Sequence, residues 1–177
     1  VLTSIRSLAL AIALLTLYCS PPASADMAKI QVTSSAFAPG SAIPVQYTGE
    51  GADRSPPLAW SAPPAGTAEL ALICDDPDAP TPEPWVHWVA YGIPADSRGM
   101  AEGASSGSIQ GKNSWGKLGY GGPMPPKGHG VHHYHFQLYA LDTKLGADPG
   151  LTKDALLAKM RGHIVAEGKL TGTYERR

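Results

Sequence analysis

The sequence predicts a mainly β protein, a sandwich or a barrel, with one or two short helices near its C-terminus. Three observations predict it. Short runs of aliphatic, β-branched and aromatic residues recur along the chain, and 20 glycines and 17 prolines punctuate them every ten or so residues. Only one stretch, residues 152–162, carries apolar residues at helical spacing. Short strands at regular spacing with turn signals between them belong to all-β sandwiches and barrels.

The first residues stand apart from this pattern. Arg6 is the only charge before Asp26, residues 8–17 are apolar except for Thr16, and Pro21 and Pro22 break the run before Ala23-Ser24-Ala25. This predicts a signal peptide over residues 1–25, cut after Ala25, and a periplasmic or secreted destination for a single domain over residues 26–177. The apolar run is too short for a transmembrane anchor. The bulky Tyr18 in front of Cys19 fits poorly with a lipid-attachment site.

Cleavage leaves 152 of the 177 residues, enough for one domain with a real core. Of the 14 basic residues only Arg6 is lost, and all 15 acidic ones remain. A slightly acidic chain without basic runs argues against nucleic acid and against electrostatic docking to a membrane. Cys74 is then the only cysteine, so no internal disulfide is expected and core packing must hold the exported fold.

Six runs read as strands: residues 29–33, 43–47, 70–74, 86–93, 134–141 and a last one around 168–174. The helix is placed by Thr152 as its cap, Asp154 in its first turn, an apolar stripe of Leu156, Leu157 and Met160, and Gly162 as its stop. No internal repeat and no interdomain linker interrupts the series.

Two stretches carry chemistry. Residues 119–141, GYGGPMPPKGHGVHHYHFQLYAL, run from a loop of glycines and prolines into a strand with three histidines. Alternation puts His132, Tyr134, Phe136 and Leu138 on one face, and His133 and His135 on the other. The apolar members turn the first face inward, so His132 and Tyr134 are expected at the rim of an interior cavity. Residues 74–88, CDDPDAPTPEPWVHW, pass from an apolar strand through Asp75, Asp76 and Asp78 into a strand on which Trp85, His87, Val89 and Tyr91 share a face. Asp-Pro-Asp is also an ordinary turn former.

From these residues alone a metal site, a catalytic site and an anion pocket all stand. His87 and His132 with Asp76 or Asp78 could hold a first-row metal, yet the spacing matches no known ligand signature. Acid–base hydrolysis would need a nucleophile. There is no Gly-x-Ser-x-Gly elbow, Cys74 lies in an apolar strand, and Ser105, Ser106 and Ser108 have no evident base.

DPDAP followed by WVHW, and later the segment from Gly119 onward, resembles the phosphatidylethanolamine-binding protein family, in its bacterial and archaeal Raf-kinase-inhibitor-like branch. The stretches FAPGSAIPVQYTGEGADRSPPLAW and GKNSWGKLGYGG extend the resemblance over nearly the whole mature chain. It implies a Greek-key antiparallel β-sandwich whose small pocket binds a phosphate-like anion or phospho-headgroup; the missing nucleophile and metal-ligand signature add the expectation of a non-enzymatic protein without metal or cofactor. Carried over by motif, the pocket comprises Asp76, Asp78, Pro80, His87, Gly122, Pro125, Pro126, His132 and Tyr134. A homodimer, a modulating role toward other proteins and inhibition of a protease or kinase are further implications of the resemblance. Ser114-Trp115, Met124 and the extra ring of His129 depart from the branch's usual residues. In this reading the glycines bring backbone N–H groups to the ligand and two imidazoles and a phenol donate to it. Asp76 and Asp78 orient a histidine and hold it protonated, or accept from a ligand's ammonium or protonated oxygen.

Overall fold

The computed structural model describes residues 27–104 and 107–177. The expected leader, and with it Ser105 and Ser106, lies outside the described residues. The fold is mainly β and sandwich-like, as expected, with one short C-terminal helix. Its centre is β4 (Glu69–Asp76), buried at every position. An unbroken run of Leu70 to Cys74 is what a strand covered on both faces requires.

The larger sheet has six strands in the order β1-β9-β8-β4-β5-β7. Its members are β1 (Ala28–Lys29), β4, β5 (Trp85–Pro94), β7 (Ile109–Gln110), β8 (His132–Leu141) and β9 (Ile164–Tyr174). The smaller sheet is β2 (Val32–Thr33), β3 (Leu58–Trp60) and β6 (Gly99–Met100), in the order β2-β3-β6. Pairing is antiparallel except at one edge, where β1 runs parallel to β9.

Alternation along β4 builds two cores. Leu70, Leu72 and Cys74 pack between the sheets with Trp60, Trp88, Phe136, Leu138 and Leu170. Ala71 and Ile73 face the other way, onto Val89, Tyr91, Leu156 and Met160. The second face is closed by α1 (Lys153–Met160), whose cap is Thr152 accepting from the Ala155 N–H at 3.3 Å, as its sequence predicts.

Two expected strands differ. Residues 29–33 are not one strand: β1 joins the large sheet and β2 the small one, so the segment crosses between layers. Residues 43–47 form a 3-10 turn, Val45–Tyr47, because Pro44 has no N–H to give a ladder and its carbonyl accepts from Tyr47 N–H at 2.9 Å. The strands β3, β6 and β7, two or three residues each, were not expected.

The strand β5 is also less regular than its alternation suggests. Cys74 pairs with Trp88 but Asp75 pairs with Val86, which leaves His87 as an inserted residue. A second insertion lies where Leu70 pairs with Ile93 and Leu72 with Ala90, at Gly92, whose φ of +63° is a backbone setting that favours glycine. The expected common face therefore splits. Val89 and Tyr91 face the helix side, while Trp85 and His87 face a cavity.

Candidate functional site

The end of β4 sets the site. Asp75 and Asp76 are neighbours in a strand and therefore point to opposite faces. Asp75 takes the helix side, where it meets the Lys153 ammonium, with the His135 ring 3.9 Å away. Asp76 takes the other side and enters the cavity wall.

Asp76 is only 3% exposed, and both of its oxygens are occupied. Oδ1 accepts from the Asp78 N–H at 2.9 Å, and Oδ2 accepts from His132 Nδ1–H at 2.7 Å. A buried carboxylate needs such partners to stay charged. Asp76 therefore orients His132, which is one of the roles its sequence suggested.

Bulging puts His87 across from this pair. Its Nδ1 lies 2.6 Å from the Gly121 carbonyl oxygen, and its ring is held edge-on by Trp115 and Tyr134 at centroid distances of 5.1 and 5.0 Å. Burial pushes its pKa below the ordinary histidine range, against an upward pull from the Gly121 carbonyl and the Asp76 charge. His87 is therefore neutral near pH 7.

Together these groups line a cavity of about 250 Å³. Six of the nine residues expected from the sequence line it: Asp76, Pro80, His87, Pro125, Pro126 and His132. The other three do not. Asp78 turns outward, where its carboxylate accepts from the His133 N–H at 2.8 Å and meets the His133 ring at 2.7 Å. Gly122 lies on the far side of Met124, bordering a separate depression with Asp53 and Tyr120. A Cβ there would come within 2.6 Å of the Tyr47 carbonyl oxygen, and its N–H donates to Asp53 at 2.6 Å. So this glycine serves close packing of two loops and offers no N–H to a ligand. Tyr134 is buried behind the cavity wall, against His87.

Residues beyond those expected complete the lining: Ala79, Thr81, Trp85, Trp115 and Met124. The last two are large and partly exposed at the mouth, which gives the rim an apolar character. Aromatic residues interleaved with glycine in NSWGKLGYGG were the available signal for Trp115. At the same mouth His129, exposed, brings its Nδ1 to 2.8 Å from His132 Nε2.

Among the described residues, two buried donors make no well-aligned hydrogen bond, the Trp85 Nε1–H and the Tyr134 hydroxyl, which lies beside the Asp76 carboxylate. Burial, and then the neighbouring Asp76 charge, push the Tyr134 pKa far up, so it remains a phenol. Leaving a buried donor unpaired costs about 1–3 kcal/mol, which marks Trp85, on the cavity lining, as a position awaiting an acceptor. No group of three or more His, Cys, Asp or Glu among the described residues is arranged to hold a metal ion. The Cys74 thiol is fully buried, and burial raises its pKa well above the usual value.

The comparisons with known proteins fit this geometry. The family model described as phosphatidylethanolamine-binding protein matches residues 33–175. A UPF0098 protein of Methanothermobacter thermautotrophicus is 50% identical over 140 residues, covering 76% of this chain and 91% of its own. A Mycobacterium tuberculosis protein named as a candidate lipoprotein, LppC, is 43% identical over 147 residues, covering 82% of this chain and 72% of its own. Among solved structures, a phosphatidylethanolamine-binding protein homologue from Chlamydia trachomatis superposes with a TM-score of 0.80 at 41% identity, covering 84% of this chain and 99% of that one. YbcL of E. coli gives 0.79 at 34% identity, covering 85% of this chain and all of its own. By the matched span and by these identities, the chain belongs to the phosphatidylethanolamine-binding protein family.

Proposed function

We propose that the protein is an exported, non-enzymatic binding protein whose cavity takes a phosphate-like anion or a phospho-headgroup. One observation carries the reading. The Trp85 Nε1–H, on a residue of the cavity lining, is a buried donor without a partner, and it needs an acceptor oxygen. Asp76 does not oppose an anion as a bare charge would, because both of its oxygens are already occupied. Pro125 and Pro126 stiffen the wall, which limits the entropy lost when a ligand is ordered.

Binding rather than catalysis is supported by the chemistry at the wall. The Asp76–His132 pair resembles the orienting half of a catalytic triad, but the Nε2 of His132 meets His129 and not a hydroxyl or thiol. Export is supported by the leader-like pattern of residues 1–25 and by the likeness to a candidate lipoprotein. Calorimetric titration of the purified mature protein with inorganic phosphate and with phosphoethanolamine tests the ligand class. Saturable one-to-one binding of either is expected, and heat no larger than dilution for both would defeat the reading. Cell fractionation and the intact mass of the exported chain test the destination, with Asp26 expected at the N-terminus.

A further inference from the structure

One wall of the cavity is built from residues that cannot hold themselves in place. Pro123, Pro125 and Pro126 have no N–H, so the segment 123–129 is tied down through its carbonyl oxygens. Pro123 O accepts from Gly49 N–H at 3.0 Å, and Pro126 O from His129 N–H at 3.2 Å. Pro125, buried on the cavity lining, has its carbonyl taken by the Nη1–H of Arg176 at 3.2 Å. Arg176 belongs to the arm that follows β9, and it holds the segment a second time: its own carbonyl accepts from Gly128 N–H at 3.1 Å. Its Nε–H donates to Glu50 Oε1 at 3.0 Å, and the Tyr174 hydroxyl donates to Oε2 at 2.7 Å. Tyr174, and then Arg176, hold the Glu50 carboxyl below the usual carboxylate range, so it is charged at neutral pH. One planar guanidinium therefore joins three stretches of chain: the end of β9, the turn at Glu50 and the cavity wall.

We propose that Arg176 is a positioning residue for this wall, and that the Glu50–Arg176 pair is a latch whose release lets residues 123–129 swing away and open the cavity to solvent. The segment is built to move as a unit. Proline fixes the backbone of its first half, and Gly130, at a φ of +90° that glycine takes freely, follows it as a pivot. Through Met124, Pro125 and Pro126 the segment covers the lining that it shares with Trp85 and Trp115. The latch lies within reach of water, with the Arg176 and Glu50 side chains 19% and 30% exposed, so it can open without unfolding the sheets. None of these contacts depends on what the cavity binds.

Arg176→Met removes the fork and keeps an apolar stem, and two readouts on the whole protein follow the wall. An endoproteinase specific for lysine cuts after the exposed Lys127 once the segment is released. Cleavage there should be at least about tenfold faster in the variant, the worth of one hydrogen bond to a charged group. Cleavage at Lys159 in α1 and Lys169 in β9 should keep its original rate. Hydrogen exchange of the indole N–H groups reads the cavity itself. The Trp85 Nε1–H, on the lining, should exchange faster by a similar factor, while the Trp88 Nε1–H, bonded to Gln110 at 2.8 Å, should not change. Glu50→Gln leaves Arg176 without its charged partner and should speed both processes; no effect would overturn the pair as the latch. Equal acceleration at Lys127, Lys159 and Lys169 would mean general destabilisation and would overturn the proposal. So would an unchanged rate at Lys127, or faster cleavage there with Trp85 exchange unchanged, the mark of a loosened loop over a closed cavity. Neither readout uses an anion, so the latch and the anion pocket can fail separately.

Discussion

Replacing Tyr134 with Phe removes a single oxygen and should raise stability while leaving affinity nearly unchanged. The ring of Tyr134 is 1% exposed and stacks edge-on against His87, contacts that Phe retains. The hydroxyl makes no well-aligned hydrogen bond, although the Asp76 carboxylate lies beside it. A buried hydroxyl without a hydrogen bond costs about 1–3 kcal/mol, so its removal should stabilise the free protein by about 1 kcal/mol. With a urea dependence of about 1–3 kcal/mol per molar, that is a rise of roughly 0.5 M in the unfolding midpoint. The hydroxyl lies behind the cavity wall, out of a ligand's reach, so affinity for phosphate should change by less than about threefold. Urea titration followed by tryptophan fluorescence reads the first effect and calorimetry the second. A variant destabilised by 1 kcal/mol or more would refute the reasoning, because the hydroxyl would then be bonded in the free protein. A tenfold loss of affinity would refute it from the other side, because the hydroxyl would then reach the ligand.

Other expectations follow from the groups around the site. His87 and His135 are both held below the ordinary histidine value of 6.5, chiefly by burial, so unfolding takes up protons as the pH falls. Stability should therefore be full above about pH 6.5 and decline below it, at up to about 1.4 kcal/mol per pH unit for each proton taken up. Urea midpoints between pH 7.5 and 5 read the slope, which His87→Gln should reduce; a flat profile would count against the buried neutral ring. For Asp78 burial acts upward, but His133 outweighs it and holds the carboxyl below its usual range, which adds a separate loss only beneath about pH 4. Lys153→Met leaves the buried Asp75 charge without its ammonium and should cost about 3 kcal/mol, seen as a lower midpoint; a loss under 0.5 kcal/mol would mean that the pair does not tie α1 to β4. Cys74 should resist iodoacetamide in the native protein and take one adduct in denaturant, read by intact mass; native alkylation would show that the central strand opens.

What the sequence disclosed depended on how regular each strand is. Along β8, His132 to Leu138 alternate without interruption between interior and surface, so a count of two placed His132 and Tyr134 on the inner face and His133 outside. Along β5 the same count failed, because two inserted residues shift the faces and nothing local announces them. His87 still reaches the cavity, but through its bulge. The strands β3 and β6 are too short to show a period, and they exist only because the other sheet covers the core. At the site, Asp76, His87 and His132 were legible as residue types that carry chemistry. Gly122 misled, since a glycine reads alike whether it meets a ligand or a neighbouring loop, and here it meets Tyr47 and Thr48. The hydrogen-bond directions at the two rings depend on Gly121 and Asp76 lying beside particular ring nitrogens. No linear spacing encodes that.

The most direct test of the pocket is to watch its histidines by name. Long-range proton–nitrogen spectra of uniformly labelled protein resolve the ring nitrogens and report both tautomer and contact. On titration with inorganic phosphate, the Nε2 signals of His87 and His132 should shift saturably at one stoichiometric equivalent, while His163, on the exposed Asp142 pair, stays still. Shifts spread evenly over every histidine, or none at His87 and His132, would contradict a phosphate-binding cavity at this place.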